Sequence, residues 1–211
     1  MSEKKLEIAV LLFPGVTAQD FIGPHTIFSP FSNIKLCWKN TDPVRTDSGI
    51  RIIPDTAFQE CSGEYDILLV PGGPPENTAL VESDAEVLAF LQDVAMRFHY
   101  ITSVCTGSLI LGAAGLLRGY KAATHWTSYD ALERYGAIPV KERVVADRNR
   151  MTGGGVTAGL DFGLTLLAGL RGEKTAKFAQ LLAEYNPAPP FNSGSPETAD
   201  KDVLLMFESL G

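Results

Sequence analysis

Short β-branched or apolar runs alternate with helical stretches along almost the whole chain, and that alternation leaves little choice of architecture. Strands that are apolar nearly throughout must be covered on both faces, which predicts an α/β three-layer sandwich around a mostly parallel sheet. Strands are expected at residues 7–13, 34–39, 66–70 and 100–104, with weaker ones near 122–124, 144–146 and 150–152. Helices are expected at 24–31, where Pro24 suits a first turn, at 83–98 on a 3.6-residue apolar period, and at 106–117. Others follow at 127–135, 157–170 and 173–185, and Gly153-Gly154-Gly155 reads as a flexible hinge. After Tyr185 the composition shifts. PAPPFNSGSPETAD predicts an extended arm with a last helix over 202–210, so the reading is one domain at 1–185 and an appendage at 186–211.

Charge and composition narrow the function by exclusion. A net charge of −7, with no cluster of Lys or Arg, argues against a nucleic-acid surface. No run approaches the roughly 18 apolar residues that span a bilayer. The opening MSEKKLEIAVLLF reads as a first strand rather than a signal peptide, so the expectation is a cytoplasmic protein without a membrane partner. Cys37, Cys61 and Cys105 contain no CxxC pair, and His25, His99 and His125 have no HExxH spacing. Neither a disulfide framework nor a metal site is expected, and no cofactor motif is visible.

The segment ITSVCTGSLILGAAG carries the sharpest chemistry. An apolar strand runs into Cys105 and a helix starts at once, the layout of a nucleophile elbow. The helix N-terminus should lower the thiol's pKa, and the tight turn should strain the backbone and expose the sulfur. The competing reading is a buried, inert thiol, and that reading is preferred for Cys37 and Cys61. Gly72 and Gly73 follow a strand end, where backbone N–H groups can approach a developing charge; an ordinary turn explains them equally well. Asp20, in the loop after the first strand, is placed to face Cys105, although Thr17-x-x-Asp20 also matches a capping box. His125 beside Trp126 is a possible base but more often a packed residue, and His25 and His99 read as structural.

Together the PGG loop, SVCTGSLILGAAGLL and GGGVTAGLDFGLTLL resemble the ThiJ/PfpI superfamily, which includes the parkinsonism-associated deglycase and the PfpI-type proteases, over residues 8–185. Six blocks in order resemble the bacterial isocyanide (isonitrile) hydratase branch more closely. They are QDFIGPHTIF, SVCTGSLILGAAGLL, ATHW, GAIPVKERVV, TGGGVTAGLDFGLTL and PAPPFNSGSPETA. The resemblance implies a flavodoxin-like homodimer with Cys105 as nucleophile and no cofactor. Deglycase and protease members carry histidine after the cysteine and a glutamate from the first loop; this chain has Thr106 and Asp20, like the hydratase branch. What the resemblance implies is hydration of an isocyanide to an N-substituted formamide through a thioimidate on Cys105. Asp20 would move protons, and Thr106, Gly72 and Gly73 would stabilise charge. Phe21, Ile22 and Trp126 would line an apolar pocket. The alternatives are a glyoxalase-, deglycase- or amidase-type member, or a protein that senses oxidants through Cys105. A ligand-sensing regulator would need a helix-turn-helix, for which the tail is too short and too acidic.

Overall fold

The computed structural model describes residues 4–209, so residues 1–3 of the expected first-strand segment and residue 210 of the expected last helix lie outside it. A seven-stranded sheet forms the middle layer. Its strands are β1 (Leu6–Leu11), β2 (Ser32–Trp38), β5 (Thr56–Ala57), β6 (Ile67–Val70), β7 (Tyr100–Val104), β10 (Val144–Asp147) and β11 (Arg150–Gly153). Their order is β10-β11-β7-β6-β1-β2-β5, and every pairing is parallel except the β10–β11 hairpin at one edge. Two small two-stranded sheets flank it: β3 (Val44–Arg45) with β4 (Arg51–Ile52), and β8 (Lys121–Ala122) with β9 (Ile138–Pro139).

The central strands explain the layering. All four residues of β6 are buried, as are five of the six in β1, so neither face of the sheet can meet water. Helices α1 (Ala18–Phe28), α2 (Pro75–Glu82), α3 (Ala85–Ala95), α4 (Gly107–Ala113), α5 (Tyr129–Arg134), α6 (Ala158–Arg171) and α7 (Glu173–Leu182) accompany the strands.

Several elements depart from the sequence reading. α1 begins six residues earlier than expected, which places Asp20 in its first turn instead of in a loop and Pro24 inside the helix. Pro24 has no N–H for the Asp20 carbonyl, and its ring is instead packed against Gly159 of α6, where a β-carbon would sit 2.8 Å from Pro24 Cδ. The expected 83–98 helix begins at Ala85 because Asp84 caps it, accepting from Glu86 N–H at 3.1 Å and Val87 N–H at 3.3 Å. A separate helix, α2, precedes it with Pro75 at its first position. The glycine run at 153–155 is no hinge: Gly153 belongs to β11, and Gly154 N–H donates to Arg143 O at 2.9 Å. The tail carries α8 (Lys201–Glu208), and Phe207 meets the Trp126 ring at a centroid distance of 4.7 Å.

Candidate active site

Four chain segments converge at the carboxyl ends of β1, β6, β7 and β11, where side chains and backbone N–H groups face outward from the sheet. Cys105 ends β7 with φ of 59°, the left-handed region that a β-carbon disfavours. The strain is held from both sides. Cys105 N–H is shared between the carbonyls of Gly153 at 3.0 Å and Gly154 at 2.8 Å, while Ser108 and Thr124 hydroxyls donate to its carbonyl at 3.1 and 3.3 Å. The helix after it lies flat on the sheet because residue 107 is glycine: a β-carbon there would stand 2.1 Å from Val70 O. Cys105 is 5% exposed, so the elbow buries the sulfur more deeply than the sequence suggested.

Asp20 is fully buried. No capping box forms, because Thr17 N–H donates to Gly72 O at 2.8 Å and Gly72 N–H donates to Asp20 Oδ2 at 2.9 Å. These two bonds stitch the first turn of α1 to the loop after β6. Asp20 Oδ1 is buried without a hydrogen-bond partner, and the carboxyl group faces the Cys105 thiol. Burial pushes the Asp20 carboxyl up to about 7, against the opposing pull of Gly72 N–H and the Cys105 thiol, with Asp47 adding a smaller upward push.

The thiol goes the opposite way from the sequence expectation. Burial, and then the neighbouring Asp20 charge, push Cys105 up to about 12. The N–H groups of Thr106 and Val156 and the Thr106 hydroxyl favour the thiolate but do not outweigh burial. The N–H groups at the start of the helix do favour the thiolate, but enclosure by protein and the adjacent carboxyl group outweigh them.

The glycine pair and Thr106 are spoken for by one another. Gly73 N–H donates to Thr106 Oγ1 at 3.0 Å, Thr106 donates to Gly73 O at 2.9 Å, and Thr78 Oγ1 lies 3.3 Å away. Neither Gly72 nor Gly73 therefore presents a free N–H to a ligand; they hold Asp20 and Thr106. A β-carbon at residue 72 would lie 2.4 Å from Thr106 Oγ1 and 3.0 Å from Asp20 Oδ2. The N–H aimed at the sulfur from across the site belongs to Val156, which the sequence reading missed. Its only sequence signal is the GGGV run, whose small residues let that loop pass beside the nucleophile.

Ile22 and Trp126 are both partly exposed, at 39% and 38%. Trp126 lines a cavity of about 690 Å³ together with His125, Tyr129, Val156 and the arm residues Ser195 and Pro196. Cys105 and Asp20 do not line it. Thr124, Gly154 and Val156 do, and each of them also contacts Cys105, so the cavity borders the residues that surround the thiol. His125 is turned toward Thr127, with Nδ1 at 2.8 Å from its hydroxyl, and burial lowers its pKa. Neither Ile22 nor the buried Phe21 lines the cavity, so of the three apolar residues expected in one pocket only Trp126 is there.

Comparison with known proteins places this geometry in context. The model of the DJ-1/PfpI family matches residues 6–169. An isonitrile hydratase from Pseudomonas putida is 48% identical over 201 residues, spanning 94% of this chain and 87% of that protein. A crystal structure of a ThiJ/PfpI family protein from Pseudomonas syringae superposes with a TM-score of 0.95 at 50% identity, over 99% of this chain and 87% of that one. Drosophila melanogaster DJ-1beta shares the fold at 20% identity, with a TM-score of 0.76 over 84% of this chain and 97% of its own.

Proposed function

The chain belongs to the DJ-1/PfpI family, and from that premise we propose that it is a cysteine-dependent hydro-lyase converting isocyanides to N-substituted formamides. The observation that carries this reading is the buried pairing of a strained Cys105 with an Asp20 carboxyl held near neutrality, in a chain 48% identical to an isonitrile hydratase. Such a pair moves protons without a metal, and hydration of R–N≡C is a matter of moving protons around one carbon.

At neutral pH the thiol keeps its proton and Asp20 is partly ionised. Asp20 takes the thiol proton as the sulfur attacks the terminal carbon, then gives that proton to the same carbon. The product is a thioimidate, R–N=CH–S–Cys105. Asp20, again a carboxylate, removes a proton from water as its oxygen adds to the carbon, and the nitrogen receives that proton. The resulting R–NH–CH(OH)–S–Cys105 loses its hydroxyl proton as the C–S bond breaks, and the sulfur regains a proton. One isocyanide and one water become one formamide. Asp20 Oδ1, free of other partners, is the oxygen suited to this traffic, and Gly72 N–H keeps the other oxygen fixed. The N–H groups of Thr106 and Val156 stabilise negative charge on sulfur when it attacks and when it leaves.

The cavity beyond Val156 is the place for the R group. Trp126 and Tyr129 give it aromatic walls, and the proline-rich arm closes one side of it. The proposal includes a homodimer in the cytoplasm acting on a small molecule; among the described residues no helix is long and apolar enough to cross a membrane. Carbon NMR of the purified protein with an aromatic isocyanide tests the activity. Formamide is expected from the intact chain and not from Cys105→Ala; no formamide from folded protein removes the hydratase reading.

A further inference from the structure

Away from the elbow, two more thiols meet inside the sheet's edge. Cys37 on β2 and Cys61, just after the short 3-10 turn Phe58–Glu60, place their sulfurs 3.7 Å apart, and both side chains are buried. We propose that Cys37 and Cys61 are a second reactive site, a dithiol that hydroperoxides oxidise to a disulfide without involving Cys105.

The surroundings favour this over a pair of inert core thiols. Arg97 reaches the turn that carries Cys61, donating to Cys61 O at 3.4 Å and to Gly63 O at 3.0 Å, and so brings its cationic guanidinium to that thiol. The Tyr65 hydroxyl favours the Cys61 thiolate from a ring stacked on Phe98 at 4.8 Å. The Cys37 thiol, Tyr65 and Arg97 all favour the Cys61 thiolate, and together they bring it down to about 7 against the cost of burial. Cys37 shifts upward, as a thiol lying against a thiolate should, with its bond to Cys61 as the largest cause. One sulfur is thus set to attack and the other to remain protonated until needed. The Ser62-Gly63-Glu64 segment that follows Cys61 directly is exposed, so a small displacement of this turn would open the sulfur to an oxidant.

The chemistry balances in two steps. The Cys61 thiolate attacks one oxygen of ROOH and breaks the O–O bond, giving a sulfenic acid, Cys61–SOH, and, with one proton, ROH. Cys37 sulfur then attacks the Cys61 sulfur, the S–O bond breaks, and the Cys37 proton leaves with the hydroxyl as water. The two sulfurs lose two electrons and the peroxide gains them. Joining sulfurs now 3.7 Å apart requires them to approach by roughly 1.7 Å, a side-chain rotation with a small shift of the Cys61 turn. The bond closes a loop across 24 residues of sequence, tying β2 to the segment that leads into β6.

The test uses the full chain as Cys105→Ala, which removes the third thiol, alongside the unaltered protein. Each is treated with hydrogen peroxide, unfolded in maleimide and digested without reductant. The expected result is a cross-linked peptide pair containing Cys37 and Cys61, lighter than the reduced pair by two hydrogens and absent after dithiothreitol. Maleimide on both cysteines after peroxide treatment overturns the proposal. So does sulfinic acid at Cys61 with no cross-link, because it would mean that Cys37 cannot resolve the first oxidation.

Discussion

Cys105 and Cys61 are both buried, yet their surroundings drive them in opposite directions: Cys105 up to about 12, chiefly through burial, and Cys61 down to about 7. Burial raises both. What differs is the neighbour. Cys105 faces a carboxyl group, whereas Cys61 is met by a thiol, a phenol hydroxyl and a guanidinium. A nucleophile need not be ionised at rest if the group that raises its pKa is also the base that will take its proton. Cys105 fits that description, because Asp20 both holds the proton on sulfur and is the acceptor beside it. Cys61 fits the other design, a thiol partly ionised at neutral pH and surrounded by groups that favour its thiolate.

The largest effect separates the two thiols outright. Cys105→Ala is expected to lower isocyanide turnover by about 10³-fold or more, while Cys61→Ser keeps kcat/KM within about twofold, since no step of the hydration touches Cys61. A loss in both variants, measured as formamide release, would erase the distinction.

Asp20→Asn comes next. Loss of the proton acceptor is expected to cost about 10²- to 10⁴-fold in kcat. In the unaltered protein kcat/KM should rise with pH through about 7, as Asp20 ionises and becomes able to take the thiol proton, and the variant should lose that rise. Stability should move the other way. The raised Asp20 value means its neutral form suits the fold: that contribution is full below the ordinary 3.8 and is lost as pH rises through about 7. Asn carries no such loss, so the variant should be the more stable protein at pH 8, by on the order of a few kcal/mol, and the difference should vanish in acid. Chemical denaturation at the two pH values checks the sign. The same variant should lower the Cys105 pKa, seen in thiolate ultraviolet absorbance, and so narrow the gap between the two thiols.

A smaller loss is expected from Gly72→Ala. Its new β-carbon meets Thr106 Oγ1 at 2.4 Å, Thr106 N at 2.6 Å and Asp20 Oδ2 at 3.0 Å, so the loop must move off the Thr106 backbone and carry Asp20 with it. About 10- to 100-fold in kcat is the expected cost, since geometry at the reacting atoms is being degraded but no group is removed. Unchanged kinetics would show that Asp20 tolerates displacement, and the stitched loop would lose its positioning role.

The layers, the parallel sheet and the elbow at Cys105 were legible in the sequence because burial on two faces and a strand running directly into a helix leave strong patterns. Asp20 was legible as a candidate, but its place in α1 was not. A proline normally marks a helix start, and only the contact of Pro24 with Gly159, distant in sequence, makes it tolerable in the interior. Backbone donors were read least well. Gly72 and Gly73 looked like free N–H groups, yet their partners, Asp20 and Thr106, come from other segments. Val156 has a side chain that says nothing about where its N–H points. The same holds for Cys37 and Cys61, which are unremarkable apart in sequence and become a pair only when β2 and the turn after β5 fold together.

The smallest and most discriminating change is Tyr65→Phe, which keeps the ring stacked on Phe98 and deletes one hydroxyl from the Cys61 side. A hydrogen bond to a charged group is worth about 1.5–3 kcal/mol, so the Cys61 pKa should rise by about one to two units. Two consequences oppose each other. Fewer molecules carry the thiolate at neutral pH, but each thiolate, now more basic, attacks peroxide faster, because nucleophilicity climbs with about half the slope of pKa. Below pH 7 the population effect dominates and disulfide formation should slow by about three- to tenfold. Well above the new pKa nearly every Cys61 is ionised in both proteins, and the variant should become the faster one. Hydration at Cys105 should stay as it was across the whole range. A crossing of the two oxidation profiles makes the Tyr65 hydroxyl part of the control of Cys61; coincident profiles would assign that control to Cys37 and Arg97 alone.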